Sequence, residues 1–323
     1  MNKDLEIWQF ALAKLEKQDS VTLLVVAKSS GSSPGRQGFK MIVAEDELYG
    51  SIGGGIMEVA LVQLAQGKRQ KVKGKNKSEI IEQIHKKNVP NSSGMICSGK
   101  QTVVLKELTF SDLVTVSKII EAIKNNQNVY LQITNNQFRI SNSELSATNY
   151  KFQITDNEFI YQEKIGFKQN LYIIGGGHCA LALSELMSKM DFHISLFDDR
   201  PHLNTLEKNQ FAHSKNIIET YEKVADFVPS GNEVYVVVMT LGYKFDEIVI
   251  RQLFDKDFKY FGVLGSKAKM KTLLKTLESE GFDKTKLAKI RTPIGLPINS
   301  HTPEEIAVSI AAEIISVKNS VVN

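Results

Sequence analysis

The chain has 323 residues, of which 42% are hydrophobic and 24% charged, and its formal net charge is +4. This composition excludes wholesale disorder and indicates a globular protein of about two domains. Its two cysteines are too few for a disulfide scaffold or a four-cysteine zinc site, and such low usage is typical of a reducing compartment. The charged N-terminal segment and the lack of a long apolar run predict a soluble, cytoplasmic protein without a membrane partner.

The first half shows the periodicities of an α+β domain. The sequence predicts an amphipathic helix over 4–17, a buried strand over 21–28, and two short strands after the glycine-rich loop 31–38. The segment SIGGG (51–55) then leads into a helix for which Gly67 is the expected C-terminal stop.

A basic run, KRQKVKGKNK (68–77), follows this helix with six basic side chains and no acidic one. A solvated surface loop is the favoured interpretation, and a phosphate-contacting patch is the alternative. No aromatic residue interleaves with these side chains to stack on bases, so we expect no nucleic-acid partner.

The rest of this half is expected to hold a polar loop over 91–101, a strand over 102–108, a helix over 111–126 and two β-hairpins around Asn-rich turns. Together these elements predict an α+β domain with a mixed or antiparallel sheet, spanning 1–165.

From Asn170 onwards, strands and helices alternate, which predicts a Rossmann-like domain with a parallel sheet over 166–323. The segment LYIIGGGHCA places Gly175 and Gly177 in the pattern G-x-G-x-x-A, directly after an apolar strand. Such a turn brings a pyrophosphate to a helix N-terminus. Asp198 ends the next strand, where the dinucleotide fingerprint places an acid that binds ribose hydroxyls.

Three residues near this turn leave alternatives open. Cys179 is either a thiol whose pKa the helix N-terminus lowers or, as we favour, a small core residue facing the sheet. His178 lies where it would contact a bound anion, and the sequence supports a role in anion binding and the absence of such a role equally. Arg200 offers a phosphate partner in place of the ribose.

Three glycine-rich segments in the first half expose backbone amides that could form an anion-binding nest. They are GSSPGRQG with Arg36, SIGGGIME with Glu58, and GMICSGK with Cys97 and Lys100. The nearby Lys100 would favour a thiolate at Cys97, which suits a soft metal or sulfur transfer. The alternative is a free surface cysteine. No metal-ligand spacing, nucleophile elbow or phosphate loop occurs, so no independent catalysis is predicted.

The order of these segments resembles that of the XdhC/CoxI family of xanthine dehydrogenase accessory factors, over nearly the whole chain. The motifs that carry the resemblance are SSPGRQGFKMIV, GSIGGGIMEVAL, GMICSGK, IIGGGHCALAL, LFDDRP, FGVLGSKAK and TPIGLPINSHTPEEIA. The chain departs from the family's pattern at Ser98, which replaces a glycine, and in TLGYKFD. Here Leu241 and Tyr243 stand near the family's histidine position and Asp246 is kept.

The resemblance implies a molybdenum cofactor chaperone rather than an enzyme. Such a protein binds the cofactor, a pterin dithiolene that carries a phosphate, in a cleft between its domains. It supports sulfuration with a cysteine desulfurase, and it inserts the cofactor into apo xanthine dehydrogenase or another molybdenum hydroxylase. The resemblance also implies a homodimer. The alternative function is that of an NAD(P)-dependent oxidoreductase using the Rossmann turn.

The resemblance assigns cofactor binding to the residues that match the family's motifs, with Cys97 as the candidate metal ligand. These residues are Ser33, Pro34, Arg36, Gly53, Gly54, Gly55, Glu58, Cys97, Gly175, Gly177, His178, Asp198, Gly265 and Ser266.

Overall fold

The computed structural model describes residues 3–71, 78–85, 99–127, 129–141, 149–155 and 158–320. The chain divides into two compact units, Met1–Gly166 and Phe167–Asn323. In the described part, no helix is long and apolar enough to cross a bilayer.

The first unit combines helices with two β-sheets. In chain order its elements are α1 (Lys3–Glu16), β1 (Val21–Gly31), β2 (Lys40–Val43), β3 (Leu48–Gly50), α2 (Gly55–Lys71), β4 (Ser78–His85), β5 (Gly99–Leu108), α3 (Leu113–Lys124), β6 (Tyr130–Thr134), β7 (Phe138–Ser141), β8 (Tyr150–Thr155) and β9 (Glu158–Lys164).

All strand pairings in this unit are antiparallel. One sheet has the order β3-β2-β1-β5-β4 and the other β7-β6-β9-β8. Most neighbouring strands follow each other in the chain and are joined by connections too short for a parallel crossover. Among the described strands the antiparallel alternative is therefore adopted rather than a mixed sheet, and both predicted hairpins are confirmed.

In this unit one strand was not predicted, and two predicted bounds were wrong. Strand β4 was missed because it lies at a sheet edge and its isoleucines do not alternate regularly with polar residues. Strand β5 begins at Gly99 rather than at 102. Pairing with both β1 and β4 supplies hydrogen bonds to its backbone from Gly99 onwards, although the side chains at 99–101 are not typical of a strand. Helix α2 runs past Gly67 to Lys71, since one glycine inside a helix costs only about 1 kcal/mol.

A buried ion pair joins the two sheets of the first unit. The ammonium of Lys40 on β2 lies 2.9 Å from the carboxylate of Glu163 on β9, and both side chains are fully buried. The same ammonium contacts Asp4 of α1 at 3.1 Å, and the Tyr161 hydroxyl donates to Glu163 at 2.7 Å. Burial, together with the charge of Glu163, raises the pKa of Tyr161 well above its ordinary value. The cluster therefore ties α1 and both sheets together through Lys40 and Glu163, which are fully buried, and through Asp4, whose side chain is 20% exposed.

The second unit is a parallel sheet with helices on both faces. Its elements are β10 (Asn170–Ile174), α4 (His178–Met187), β11 (His193–Asp198), α5 (Asn204–Lys208), β12 (Ser214–Ile217), β13 (Gly231–Val238), α6 (Tyr243–Leu253), β14 (Phe258–Val263), α7 (Lys267–Ser279), α8 (Lys284–Leu287) and α9 (Pro303–Asn319). The strand order is β12-β11-β10-β13-β14, with α4 and α9 against one face and α6 and α7 against the other. The order reverses between β10 and β13, as in a Rossmann fold, which confirms the predicted fold class.

We expect Lys40→Met to destabilise the first unit by about 3–5 kcal/mol, because the substitution leaves Glu163 charged and buried without its cation. Glu163→Gln should cost less, since Lys40 keeps the Asp4 carboxylate and the Gly38 carbonyl. Urea unfolding followed by the fluorescence of Trp8 reports on this unit, because Trp8 is the sole tryptophan and is fully buried here. Equal losses for the two variants would contradict this account.

Candidate functional site

Three segments of the first unit meet with their backbones in direct contact. A β-carbon built on Gly35 would lie 2.2 Å from the Ile52 carbonyl oxygen, and one on Gly53 would lie 2.3 Å from the Gly35 nitrogen. A β-carbon on Gly99 would lie 2.5 Å from the Ser33 nitrogen. We call residues 32–36, 51–55 and Gly99 the glycine-loop cluster. The structure thus brings two of the predicted loops together, and the start of β5 with them.

A chain of buried, hydrogen-bonded polar side chains connects the glycine-loop cluster to the strands beside it. The Ser33 hydroxyl donates to Gln101 at 3.0 Å, Gln101 donates to Gln83 at 2.8 Å, and Gln83 donates to the Met57 carbonyl at 3.0 Å. This chain connects the first loop through β5 and β4 to the first turn of α2. Sequence reasoning missed both glutamines. Gln101 falls in the predicted loop 91–101 and Gln83 lies in β4, which was not predicted, so no sequence signal marked either side chain as buried.

Glu58 fills the nest that the SIGGG segment forms. Its Oε2 accepts from the Ser51 hydroxyl at 2.7 Å and from the amides of Ile52 and Gly54, each at 2.9 Å. The amides predicted to bind an external anion are therefore held by a carboxylate of the protein itself. Glu58 orders the loop at the N-terminus of α2, and its other oxygen, Oε1, has no hydrogen bond within the part of the chain described.

The outer surface of the cluster is open. Gly53, Gly54 and Gly55 have φ angles of +123°, +76° and +74°, which side chains disfavour. A β-carbon at Gly54 or Gly55 would have no atom of the described residues within 4 Å, which leaves room for a ligand beside the backbone there. Pro34 and Arg36 are exposed, and no ion pair or hydrogen bond occupies the Arg36 guanidinium among the residues described.

Cys97 lies outside the described residues, and so does most of the predicted loop 91–101. Gly99, two residues later in the sequence, contacts Ser33. Lys100, expected to favour a thiolate, forms a half-exposed ion pair with Glu82 at 2.9 Å. Within the described ranges, no group of three or more His, Cys, Asp or Glu side chains is placed to hold a metal.

The glycine turn of the second unit has one closed and one open side. Gly175 has a φ of +108°, and a β-carbon there would lie 2.2 Å from the Met239 carbonyl oxygen at the end of β13. A β-carbon on Gly177 would have no atom within 4 Å. The turn is therefore packed on the sheet side and accessible where α4 begins, and His178 is exposed in the first turn of this helix.

Asp198 is bound to its own turn rather than presented to a ligand. Its fully buried carboxylate accepts from the Gly176 amide at 2.6 Å, from the Arg200 amide at 2.9 Å, and from the Arg200 guanidinium at 2.8 Å through both Nε and Nη2. Burial by itself would raise the pKa of Asp198, but these hydrogen bonds outweigh it and lower the pKa below its ordinary value. Ribose hydroxyls would have to compete with these four hydrogen bonds for the Asp198 carboxylate. Because Asp198 binds the Arg200 guanidinium, Arg200 is not available to a ligand phosphate either.

Cys179 is a half-buried residue packed against the core between α4 and α9. Burial and the charge of Glu304 raise the pKa of its thiol. Cys179 thus packs against the core, as the favoured interpretation expects, but it is only half-buried, and a thiolate at this position is not favoured.

The remaining predicted residues end strands and begin helices of the second unit. The Ser266 hydroxyl accepts from the Lys269 amide at 3.4 Å and caps α7, and Gly265 packs against Met270. Asp246 accepts from the Thr240 amide and hydroxyl, and burial raises the pKa of its carboxyl. These groups shape the carboxyl edge of the sheet, where open α/β folds bind ligands.

Family comparisons match both units. A family model described as "XdhC and CoxI family" matches residues 15–74, and one described as "XdhC Rossmann domain" matches residues 171–314. The chain belongs to the XdhC and CoxI family. The first match contains the loops around Ser33 and Gly53, and the XdhC Rossmann match contains the glycine turn and Asp198.

Two curated relatives match about half of this chain. It is 26% identical over 157 residues to an uncharacterised protein, YqeB, from Escherichia coli (strain K12), a match that covers 48% of the chain and 28% of that protein. It is 31% identical over 172 residues to a protein named as a probable xanthine dehydrogenase subunit from Bacillus subtilis (strain 168), covering 53% and 48%, respectively. The chain spans less than half the length of these relatives.

A solved structure titled as a xanthine dehydrogenase from Bacillus halodurans shares the fold. The TM-score is 0.71, the match covers 98% of this chain and 96% of that chain, and the identity is 22%. At that identity the likeness shows the fold alone.

We expect Gly53→Ala to destabilise the first unit more than Gly54→Ala. Both positions have positive φ, which costs a non-glycine residue about 1–2 kcal/mol, but only the Gly53 substitution drives a β-carbon into the Gly35 backbone. Urea unfolding followed by Trp8 fluorescence measures both variants, and the difference isolates the close approach of the loops. If Gly54→Ala lowers the stability as much as Gly53→Ala does, the close approach of the two loops is not the reason that a glycine is needed at position 53.

We expect Arg200→Gln to destabilise the second unit at neutral pH by about 2 kcal/mol, because a buried carboxylate loses charged hydrogen bonds. The folded-state pKa of Asp198 is below its unfolded value, so the stabilisation is present above the unfolded pKa and is lost as the pH falls through the folded pKa. Calorimetry should therefore show the two proteins converging below about pH 4. The exposed Lys223→Gln serves as the control and should change nothing measurable.

Proposed function

We propose that this chain is an accessory factor for a xanthine dehydrogenase or related molybdenum hydroxylase, and that it binds the molybdenum cofactor at the glycine-loop cluster. The support is family membership together with the open outer surface of that cluster. Within the described residues, no atom lies within 4 Å of a β-carbon built on Gly54 or Gly55, and the exposed Arg36 guanidinium of the same cluster has no ion-pair or hydrogen-bond partner. The cofactor supplies, when bound, a redox-active metal held by a pterin dithiolene.

The polar groups of the cluster fit a phosphorylated pterin better than they fit a bare anion. Because Glu58 already binds the Ile52 and Gly54 amides, the nest itself has little capacity for an external phosphate. Arg36 is the cation that remains for the phosphate. The free Oε1 of Glu58 is available to accept from the N–H edge of a pterin. Gly54 and Gly55 let a flat ring approach the backbone without a side chain in the way.

Ser33 has a positioning role in this proposal. Its buried hydroxyl donates to Gln101, so Ser33 holds the first loop in place against β5 and does not contact the ligand. The role proposed for Cys97 is sulfur handling or metal contact, next to a segment that contacts Ser33 through Gly99. Cooperation with a cysteine desulfurase, delivery to the apo-hydroxylase and self-association as a homodimer belong to the same proposal.

The alternative function, an NAD(P)-dependent oxidoreductase, is supported by the accessible Gly177 and the exposed start of α4. It is weakened by the commitment of Asp198 to Gly176 and Arg200. Saturable binding of NADH or NADPH with hydride transfer to a carbonyl compound would favour it over the accessory role.

The test is the ligand content of the protein purified from a host that makes the cofactor. We expect oxidised pterin, measured by fluorescence after denaturation, and molybdenum, measured by mass spectrometry, at a sizeable fraction of the protein. Arg36→Gln should lower pterin retention about tenfold, since one charged hydrogen bond contributes about 1.5–3 kcal/mol. The matched control is Arg139→Gln, an exposed arginine of the same unit on β7.

Two results would overturn the proposal in different ways. Absence of both pterin and molybdenum from the wild-type protein removes the cofactor-binding function. Equal pterin retention by the Arg36 and Arg139 variants leaves the function and removes Arg36 from the site. In the same preparation Cys97→Ala should lower cofactor sulfuration or client activation without changing Trp8 fluorescence, and normal activation would exclude a role for this thiol.

A further inference from the structure

A groove of about 590 Å³ lies along the outer side of β14, in the second unit. Strand β14 is the last strand in the order of the parallel sheet, so one side of it has no neighbouring strand. The groove runs between this edge, the turn at 254–257 and the segment 286–293. It borders the beginning of β14, whereas the glycine turn lies at the carboxyl ends of the strands.

The edge of β14 is only partly covered by backbone. The Arg291 amide donates to the Phe261 carbonyl at 2.8 Å, and the Val263 amide donates to the Arg291 carbonyl at 2.9 Å. This parallel pairing is a single bridge, which continues irregularly with the Ile294 amide donating to the Val263 carbonyl at 3.1 Å. The Phe261 amide projects to the same side as its carbonyl and has no hydrogen-bond partner in the described residues. Such an edge can accept an extended segment by strand addition.

The groove carries an excess of positive charge. Five basic side chains line it against two acidic ones, namely Lys256, Lys259, Lys286, Lys289 and Arg291 against Asp257 and Glu313. Three of the cations are already engaged: Lys256 with the carbonyls of Ala225 and Val228, Lys286 with Asp255 at 2.9 Å, and Arg291 with Glu313 at 3.5 Å.

The positive charge still available belongs to Lys259 and Lys289, which have no ion-pair partner within the described ranges. A second copy of this chain would bring the same positive groove against it and would be repelled. Phe258, Phe261 and Pro293 add apolar surface to the walls, which suits the alternating faces of a strand.

We propose that the groove along β14 is a docking site for an extended acidic segment of a partner protein, which adds to the edge of the sheet. Backbone pairing with Phe261 supplies the attachment, and Lys259 and Lys289 select carboxylates on the incoming segment. The site lies in the second unit and does not depend on cofactor binding at the glycine-loop cluster.

The test uses the full chain and a fluorescent peptide in which Glu and Thr alternate, with a Gln–Thr peptide as the neutral match. We expect the acidic peptide to bind more tightly than the neutral one and to lose affinity as salt is added. The double variant Lys259→Gln/Lys289→Gln should bind it about tenfold more weakly. The control is Lys271→Gln/Lys275→Gln, which removes the same charge from an exposed face of α7.

A second readout tests strand addition itself. Bound peptide should slow hydrogen exchange at the Phe261 amide, and N-methylation of alternate peptide residues should abolish binding. Equal binding of the Glu and Gln peptides, or equal loss in the two double variants, would overturn the charge assignment. Tighter binding of single-stranded oligonucleotide in competition with the peptide would overturn the choice of partner. Self-association that disappears in the Lys259/Lys289 variant would identify a second copy as the occupant instead.

Discussion

The candidate site depends on one steric constraint, the direct contact of three backbone segments with no side chain between them. Gly35, Gly53 and Gly99 each face another segment's backbone at a distance that a β-carbon would not allow. The contact fixes the loop after β1 against the loop before α2, and it fixes both against the start of β5. With side chains excluded on the inside, the glycines at 54 and 55 leave bare backbone on the outside. The same constraint therefore makes the cluster both rigid and accessible.

Both glycine turns of this protein use an internal carboxylate to satisfy their amides. In the first unit Glu58 binds the amides of Ile52 and Gly54, and in the second Asp198 binds the amide of Gly176. An exposed amide nest attracts any anion, whereas one closed by a carboxylate is electrostatically neutralised. The remaining selectivity then rests on other groups, such as Arg36 in the first unit, whose guanidinium has no partner among the described residues. The Arg200 guanidinium differs because Asp198 already holds it.

The two units also differ in how they use buried charge. The first unit encloses a complete ion pair, Lys40 with Glu163, at the junction of two sheets and a helix. Such a pair contributes little net stability but penalises any arrangement that separates its members. The second unit buries Asp198 and pairs it with Arg200, whose side chain is 34% exposed. Its parallel sheet needs no charged cluster, since apolar residues from helices cover both faces.

Most of the fold follows from local signals in the amino-acid sequence. The apolar runs and glycine turn from Asn170 onwards predicted the parallel sheet, and the Asn-rich turns predicted the hairpins. These signals are local, because strand and helix periodicity and turn chemistry act within a few residues. The sequence also named the segments of the cluster through their resemblance to a family.

Which groups in those segments are left without a partner depends on contacts between distant parts of the chain. The partners of Glu58 are near it in sequence. Its carboxylate can accept from the amides of Ile52 and Gly54 only once the glycines at 53–55 have adopted their positive φ angles. Ser33 donates a hydrogen bond to Gln101, which in turn donates to Gln83 on another strand, and β4 forms because it pairs with β5. Hydrogen bonds between distant residues are set by packing, and periodicity carries no information about them. The sequence could therefore locate the glycine loops, while the structure showed that the amides of Ile52, Gly54 and Gly176 are already bound by the protein's own carboxylates.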